Sequence, residues 1–226
     1  MSYAGTIEAV SAYLCSIPDG GPLRVAVDGR TACGKSTFAS ALSECLASCG
    51  RPVLQTTIDG FHNPKSVRYA RGRLSPEGYY RDARDLAAIR RELLDPLGPG
   101  GTGIIRTGTF DLEADLPRLE EGVRVLADAL LIVDGTFLSR PELAPGWDVH
   151  IFLRTSLPVA RERGIFRDCQ AGAARSQVEA IYDTRYLPAF DLYLAEADPE
   201  GRADVVIDLE DFSAPRIVRI PIARPG

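Results

Sequence analysis

Gly29-Arg30-Thr31-Ala32-Cys33-Gly34-Lys35-Ser36-Thr37 decides the fold of this chain. The stretch fits the pattern Gly-x-x-x-x-Gly-Lys-Ser/Thr, and its meaning depends on what flanks it. Before it runs Leu23-Arg24-Val25-Ala26-Val27-Asp28, a short apolar run closed by Gly29 that reads as a buried strand. After it, Phe38, Leu42 and Leu46 recur at helical spacing, so a helix is expected from about Lys35 to Cys49, stopped at Gly50. Strand, glycine loop and helix N-terminus together make the setting of a phosphate-binding loop. Its glycines let backbone N–H groups converge on phosphate oxygens, and the helix N-terminus adds about half a unit of positive charge. In that arrangement Lys35 reaches the β- and γ-phosphates of a nucleoside triphosphate, and Ser36 offers a hydroxyl to Mg²⁺. Every residue from Gly29 to Thr37 is thus a candidate ATP contact. Cys33 reads as a loop filler rather than a redox sensor.

Outward from the loop, the pattern of strand and helix repeats. Strands are expected at 53–58, 129–135, 148–153 and 203–209, and the tail Arg216–Ile222 reads as an edge strand because Pro221 bars a central place. Helices are expected at 4–17, 82–94, 157–174 and 176–196, and residues 104–112 read as a hairpin. Alternating strands and helices predict an α/β fold, a parallel sheet with helices on both faces. The 226 residues fit one domain, 1–226, with excursions at about 61–81 and 157–175.

Composition removes several classes of function. Hydrophobic residues at 45% and charged residues at 25% exclude a disordered or disulfide-scaffold chain. The formal charge of −5 gives no basic field for nucleic acid. No apolar run is long enough to cross a membrane, and the N-terminus lacks the basic start of a signal peptide. Five cysteines (Cys15, Cys33, Cys45, Cys49, Cys169) and only two histidines (His62, His150) make a zinc site a poor reading. Reduced thiols in a cytoplasmic protein are expected.

Two carboxylates close strands beside the loop. Asp134 ends the apolar run 129–133, the expected place for a Walker-B acid that holds Mg²⁺ directly or through water. Asp59 ends the second strand in Ile58-Asp59-Gly60-Phe61-His62, where an acid near a γ-phosphate can orient an acceptor hydroxyl and take its proton. Asp-Gly also closes ordinary turns. Arg68, Arg71, Arg73, Tyr79, Tyr80 and Arg81 form an aromatic and basic stretch, readable as the wall of an acceptor pocket or as a solvated surface. As a wall, it favours an anionic acceptor. His62 reads equally as a pocket contact or as loop packing.

VDGRTACGKST, IDGFH, RDARD, VDG, RGIFRD, YLPAF and ADVVID, spread over about residues 23–208, resemble the uridine kinase and phosphoribulokinase family of P-loop kinases. The resemblance implies an ATP- and Mg²⁺-dependent kinase that phosphorylates an alcohol, with Asp59 as acceptor-side acid and Phe61 beside the acceptor. It implies that 161–168 is an arginine-bearing helical lid whose Arg163 and Arg167 close over the transferring phosphoryl group. Those two arginines share a helix face at i and i+4, and a solvated basic face is the plainer alternative. The nucleoside-recognising segment of the family corresponds here to Thr109-Phe110-Asp111-Leu112, which nominates Phe110, but no histidine follows. A nucleoside, uridine or cytidine first, is the expected acceptor. Pantothenate, nicotinamide riboside and a sugar phosphate are the alternatives. The expected substrate contacts are Phe61, His62, Arg68, Tyr80 and Phe110, and the family points to a homo-oligomer. A regulatory or assembly NTPase is the reading from another class. The chain lacks the Asn/Thr-Lys-x-Asp motif of a GTPase switch and the LSGGQ-like signature of a transporter ATPase, and such proteins have no evident use for Asp59.

Overall fold

The computed structural model describes residues 1–18, 20–118 and 120–222. Its centre is a six-stranded sheet. In chain order the strands are β1 (Leu23–Gly29), β2 (Val53–Thr57), β3 (Leu130–Gly135), β4 (Val149–Arg154), β5 (Val205–Asp208) and β6 (Arg216–Arg219). In space they run β6-β5-β4-β1-β3-β2, all parallel except β6, which pairs antiparallel with β5 at the edge.

Alternation along the strands separates the two faces, because successive side chains of a strand point to opposite sides. Val25, Val27, Leu130, Ile132, Ile151, Leu153, Val205 and Ile207 face one core. Two helices cover it: α1 (Tyr3–Cys15), through Ile7, Val10 and Leu14, and α2 (Lys35–Leu46), through Phe38, Leu42 and Leu46. Ala26, Leu131 and Val133 face the other side, under Ile89, Leu93, Leu94 and Trp147. Phe152 and Val206 continue that side under Phe190 and Tyr193 of α5 (Leu187–Ala197). The expected two-sided parallel sheet is what the chain forms.

Several local expectations need correction. The helix expected from 82 starts at Leu86, capped by the Asp85 carboxylate, which accepts from the Ala88 N–H at 2.9 Å, and passes into a π-helical turn at Ile89–Leu94. The excursion at 61–81, read as a long loop with one helical turn, has that turn at Lys65–Arg68; the wide π-turn at Gly78–Asp82 is an addition to it. Residues 104–112 do not pair with each other: Ile104–Ile105 pairs with Val123–Arg124, and Phe110–Asp111 pairs with Leu116–Pro117. The helix α3 (Leu157–Gln170) is capped by Ser156. The helix expected at 176–196 is divided into α4 (Arg175–Ile181), a π-turn at Tyr182–Tyr186, and α5. Pro188 explains the break: it has no N–H to donate, and its ring crowds the carbonyl one turn back, so the ladder widens ahead of it. Cys15, at the end of α1, is disulfide-bonded, against the expectation of reduced thiols, whereas Cys33, Cys45 and Cys169 are free. Among the described residues no helix is long and apolar enough to cross a membrane.

The start of the glycine loop is fixed from behind by a group the sequence reading overlooked. Asp28 is 1% exposed, and among the described residues no cationic side chain hydrogen-bonds to it, although the charge of Lys35 acts on it. Its carboxylate accepts from the Gly29 N–H at 2.7 Å, from the Ser139 N–H at 3.3 Å and from the Tyr193 hydroxyl. Burial pushes its pKa up, and the Tyr193 hydrogen bond opposes that. Removing the hydroxyl with Tyr193→Phe leaves a buried acceptor one donor short. This is expected to lower stability by about 1–3 kcal/mol, read as a drop in the thermal or urea midpoint. An unchanged midpoint would show the bond to be dispensable.

Candidate active site

Three parallel strands end level at one edge. Val27 of β1 and Thr57 of β2 both stand opposite Asp134 of β3. The chain leaves β1 into the glycine loop, leaves β2 into Asp59 and leaves β3 at Gly135, so three candidate groups meet because of strand register. Ligands in open α/β sheets bind at this carboxyl edge.

The loop takes up a conformation that only certain residues allow. Gly34 has φ 104°, and a Cβ there would lie 2.2 Å from the ring of Phe212. Lys35, the first residue of α2, is 9% exposed and donates from Nζ to the Arg30 carbonyl at 2.7 Å. The Ser36 hydroxyl donates to Asp134 Oδ2 at 2.7 Å, and Thr57 Oγ1 donates to the Asp134 carbonyl at 3.0 Å. Burial raises the Asp134 pKa, opposed by Ser36 and Lys35. A hydroxyl and a carboxylate oxygen held together are hard donors of the kind Mg²⁺ takes, with phosphate oxygens and water completing the shell.

Beyond β2 the chain makes a 3₁₀ turn, Ile58–Phe61. Residues three apart eclipse in such a turn, so Ile58 and Phe61 both point into the core while Asp59 points out. Gly60 admits no side chain, since a Cβ would meet the Thr107 carbonyl at 2.6 Å. Arg84 Nη2 lies 2.6 Å from Asp59 Oδ1, and the other arm of Arg84 donates to His62 Nε2. Burial alone would raise the Asp59 pKa, but Arg84, His62 and Lys35 together hold it below the ordinary carboxylate value. His62 is pushed down to about 4, first by burial and then by Arg84. With Nε2 accepting from Arg84, its Nδ1 is the donor to the Asp59 carbonyl, at 2.7 Å. Nitrogen-resolved NMR is therefore expected to show a neutral, Nδ1-protonated His62 at pH 6. Arg84→Ala should raise its midpoint toward 6.5. A wild-type ring that titrates near 6.5 would remove this account of the pair.

These groups open onto a cavity of about 340 Å³ lined, among others, by Lys35, Ser36, Asp59, His62, Asp134 and Arg167. Thr31 and Ala32 of the loop also line it. The remaining loop candidates do not turn side chains into it. Cys33 is buried in the core, where burial pushes its thiol pKa up. Arg30 stacks on Phe190 at 4.6 Å, Thr37 is exposed, and Gly29 and Gly34 contribute backbone.

The acceptor wall differs from the expected one. Arg68 and His62 line the cavity, but Phe61 is fully buried beneath it. Tyr80 is 2% exposed and packs on Phe137 and Tyr193; its neighbour Tyr79 faces the cavity instead. Phe110 lines an adjoining cavity of about 320 Å³, which shares His62 with the first. On α3, Arg167 reaches the cavity, paired with Asp168 at 2.8 Å and donating to the Tyr182 hydroxyl at 3.2 Å. Arg163 does not line it. One turn earlier, it donates to the Leu209 and Glu210 carbonyls and stacks on Phe212 at 4.2 Å. Arg84, Arg185, Tyr69 and Tyr186 also line the cavity and were not singled out in sequence. Arg84 lies in the RDARD segment that carries the resemblance, and Arg185 immediately precedes the YLPAF segment that also carries it.

The fold that brings this loop and these two acids to one cavity recurs in solved structures. A protein from Bacillus stearothermophilus described as a possible uridine kinase superposes with TM-score 0.70 at 24% identity, over 89% of this chain and 97% of that one. This is the fold of the uridine kinase and phosphoribulokinase type of P-loop kinase. Phosphoribulokinase from Rhodobacter spheroides superposes with TM-score 0.60 at 18% identity, over 91% of this chain and 77% of its own. The D-glycerate 3-kinase of Cryptococcus neoformans does so with TM-score 0.61 at 13% identity, over 95% and 96%. No family model and no curated protein matches the chain. The P-loop kinase fold thus reaches across nearly the whole chain while the sequences have diverged widely.

Proposed function

We propose that this protein transfers the γ-phosphoryl group of ATP to a hydroxyl of a small molecule bound in the cavity beside Asp59. The observation that carries the reading is convergence: Lys35, the Ser36–Asp134 pair and Asp59 face one cavity of about 340 Å³. The loop backbone and Lys35 would hold the phosphates, and Ser36 and Asp134 would hold Mg²⁺, which offsets phosphate charge when bound. Asp59 orients the acceptor hydroxyl and receives its proton as the oxygen attacks phosphorus. Arg84 keeps that carboxylate ionised and aimed. Arg167 stands at the cavity wall, where a guanidinium offsets charge on the transferring group. The catalysis is positional and electrostatic, with no covalent enzyme intermediate.

Tyr69, Tyr79 and Tyr186 give the cavity aromatic walls on which a nucleoside base can stack, which supports uridine or cytidine as acceptor. Its several arginines favour the alternative, an alcohol with an acidic group. Coupled ADP release, screened against nucleosides, pantothenate, nicotinamide riboside and sugar phosphates, tests the reading. Stimulation by at least one alcohol is expected. Slow ATP hydrolysis indifferent to every acceptor would favour a regulatory NTPase instead. A cytoplasmic location and a homo-oligomer belong to this proposal as accompanying expectations.

A further inference from the structure

Arg185 is 9% exposed, yet among the described residues it has no carboxylate partner. Its guanidinium lies among three aromatic rings: 4.9 Å from the centre of Tyr79, 5.3 Å from Tyr69 and 5.6 Å from Tyr186. Its Nε is buried and makes no hydrogen bond. The residue sits in the π-turn ahead of Pro188, a distortion that turns it toward the cavity it lines. The other cations of that cavity are engaged: Arg84 with Asp59, Arg68 with Asp115 at 3.0 Å, Arg167 with Asp168, and Lys35 with the glycine loop. Arg68 nevertheless keeps a buried, unpartnered Nε, and its guanidinium lies 5.1 Å from the same Tyr69 ring that Arg185 flanks.

A buried guanidinium without an anion is costly to desolvate, and ring faces return only part of that cost. A guanidinium's planar fork fits phosphate and carboxylate, so one that lines a cavity with no anion of its own is built to receive such a group from a ligand. Two of the three rings belong to the segment after Asp59 and none to the glycine loop, so the missing anion lies on the acceptor side. We infer that the acceptor is a small alcohol bearing a phosphate or carboxylate group, and that Arg185, supported by Arg68, receives that group. This deepens the kinase reading and rests on it for the word acceptor; the anion site itself rests on Arg185.

The test uses matched pairs: D-ribose with D-ribose 5-phosphate, and glycerol with D-glycerate. Binding is measured calorimetrically on protein saturated with Mg²⁺ and a non-hydrolysable ATP analogue, so that the glycine loop is filled. At least one anionic member is expected to bind tenfold or more tightly than its neutral partner. Ribose 5-phosphate alone would identify phosphate, and glycerate alone carboxylate. Arg185→Gln should cost the anionic member at least tenfold more affinity than the neutral one, with Arg185→Lys restoring part of it. Equal binding within both pairs overturns the inference, as does an anion preference untouched by Arg185→Gln. The wild-type contrast needs no variant and decides alone if Arg185→Gln fails to fold. ADP release with ATP is followed in parallel. Arg185-dependent anion binding without any acceptor-stimulated release would overturn the kinase reading and leave the anion site standing. Stimulation by neutral alcohols alone would do the reverse.

Discussion

Asp59→Asn is expected to lower acceptor-dependent ADP release by about 10²–10⁴-fold, the usual contribution of a positioned general base, while ATP binds nearly as before. The expectation follows from where the carboxylate stands. Arg84 and His62 form a fixed backing for it, and an asparagine oxygen still accepts from Arg84, so the local structure should survive. What is lost is the capacity to take the acceptor's proton. The loop proposed to bind ATP is built between β1 and α2 and does not depend on Asp59. Steady-state turnover with each alcohol, beside the dissociation constant of a fluorescent ATP analogue, checks both halves. Full turnover in the variant would show that Asp59 is not the acceptor-side acid.

Lys35→Ala should be nearly as damaging but in a different way. It removes the charge proposed to reach the β- and γ-phosphates, so both nucleotide affinity and rate should fall, the rate by about 10²–10³-fold as for loss of one oxyanion donor. In the structure Lys35 Nζ donates to the Arg30 carbonyl within its own loop, and its charge also favours the ionised forms of Asp28, Asp59 and Asp134. Thermal stability without nucleotide should fall only modestly, because those acids keep their hydrogen bonds from Tyr193, Arg84 and Ser36. A large loss of stability with unchanged nucleotide affinity would recast Lys35 as a structural residue.

The donor side of the site was legible because its signals are local. A contiguous motif, a closing glycine and strand-ending acids are short-range features, and the sheet places them by register alone. Asp134 could be nominated from its strand, and its hydrogen bond to Ser36 follows from strands that end level. The acceptor side depended on helical phase, which the sequence conveys poorly. Tyr79 and Tyr80 exchange roles because the π-turn at Gly78–Asp82 alters the phase, and the turn at Tyr182–Tyr186 aims Arg185 in the same way. Phe61 belongs to the core because a 3₁₀ turn, not a strand or open loop, follows β2. Arg163 and Arg167 share a helix face, but one turn, about 5.4 Å, separates a guanidinium on the Leu209 carbonyl from one in the cavity. Asp28 was missed because nothing in VDG distinguishes a buried, hydrogen-bonded aspartate from a turn residue; its partners Ser139 and Tyr193 are distant in the chain.

The level ending of β1, β2 and β3 divides labour between the framework and its excursions. The candidate reactive groups inherit their spacing from backbone pairing, whereas the rings and guanidiniums proposed to receive the acceptor stand on the segment after Asp59 and on one bulged helix. On the proposed kinase reading, diversification can proceed by rewriting those two segments, exchanging one cargo for another, while the sheet edge that carries the phosphate loop stays in place.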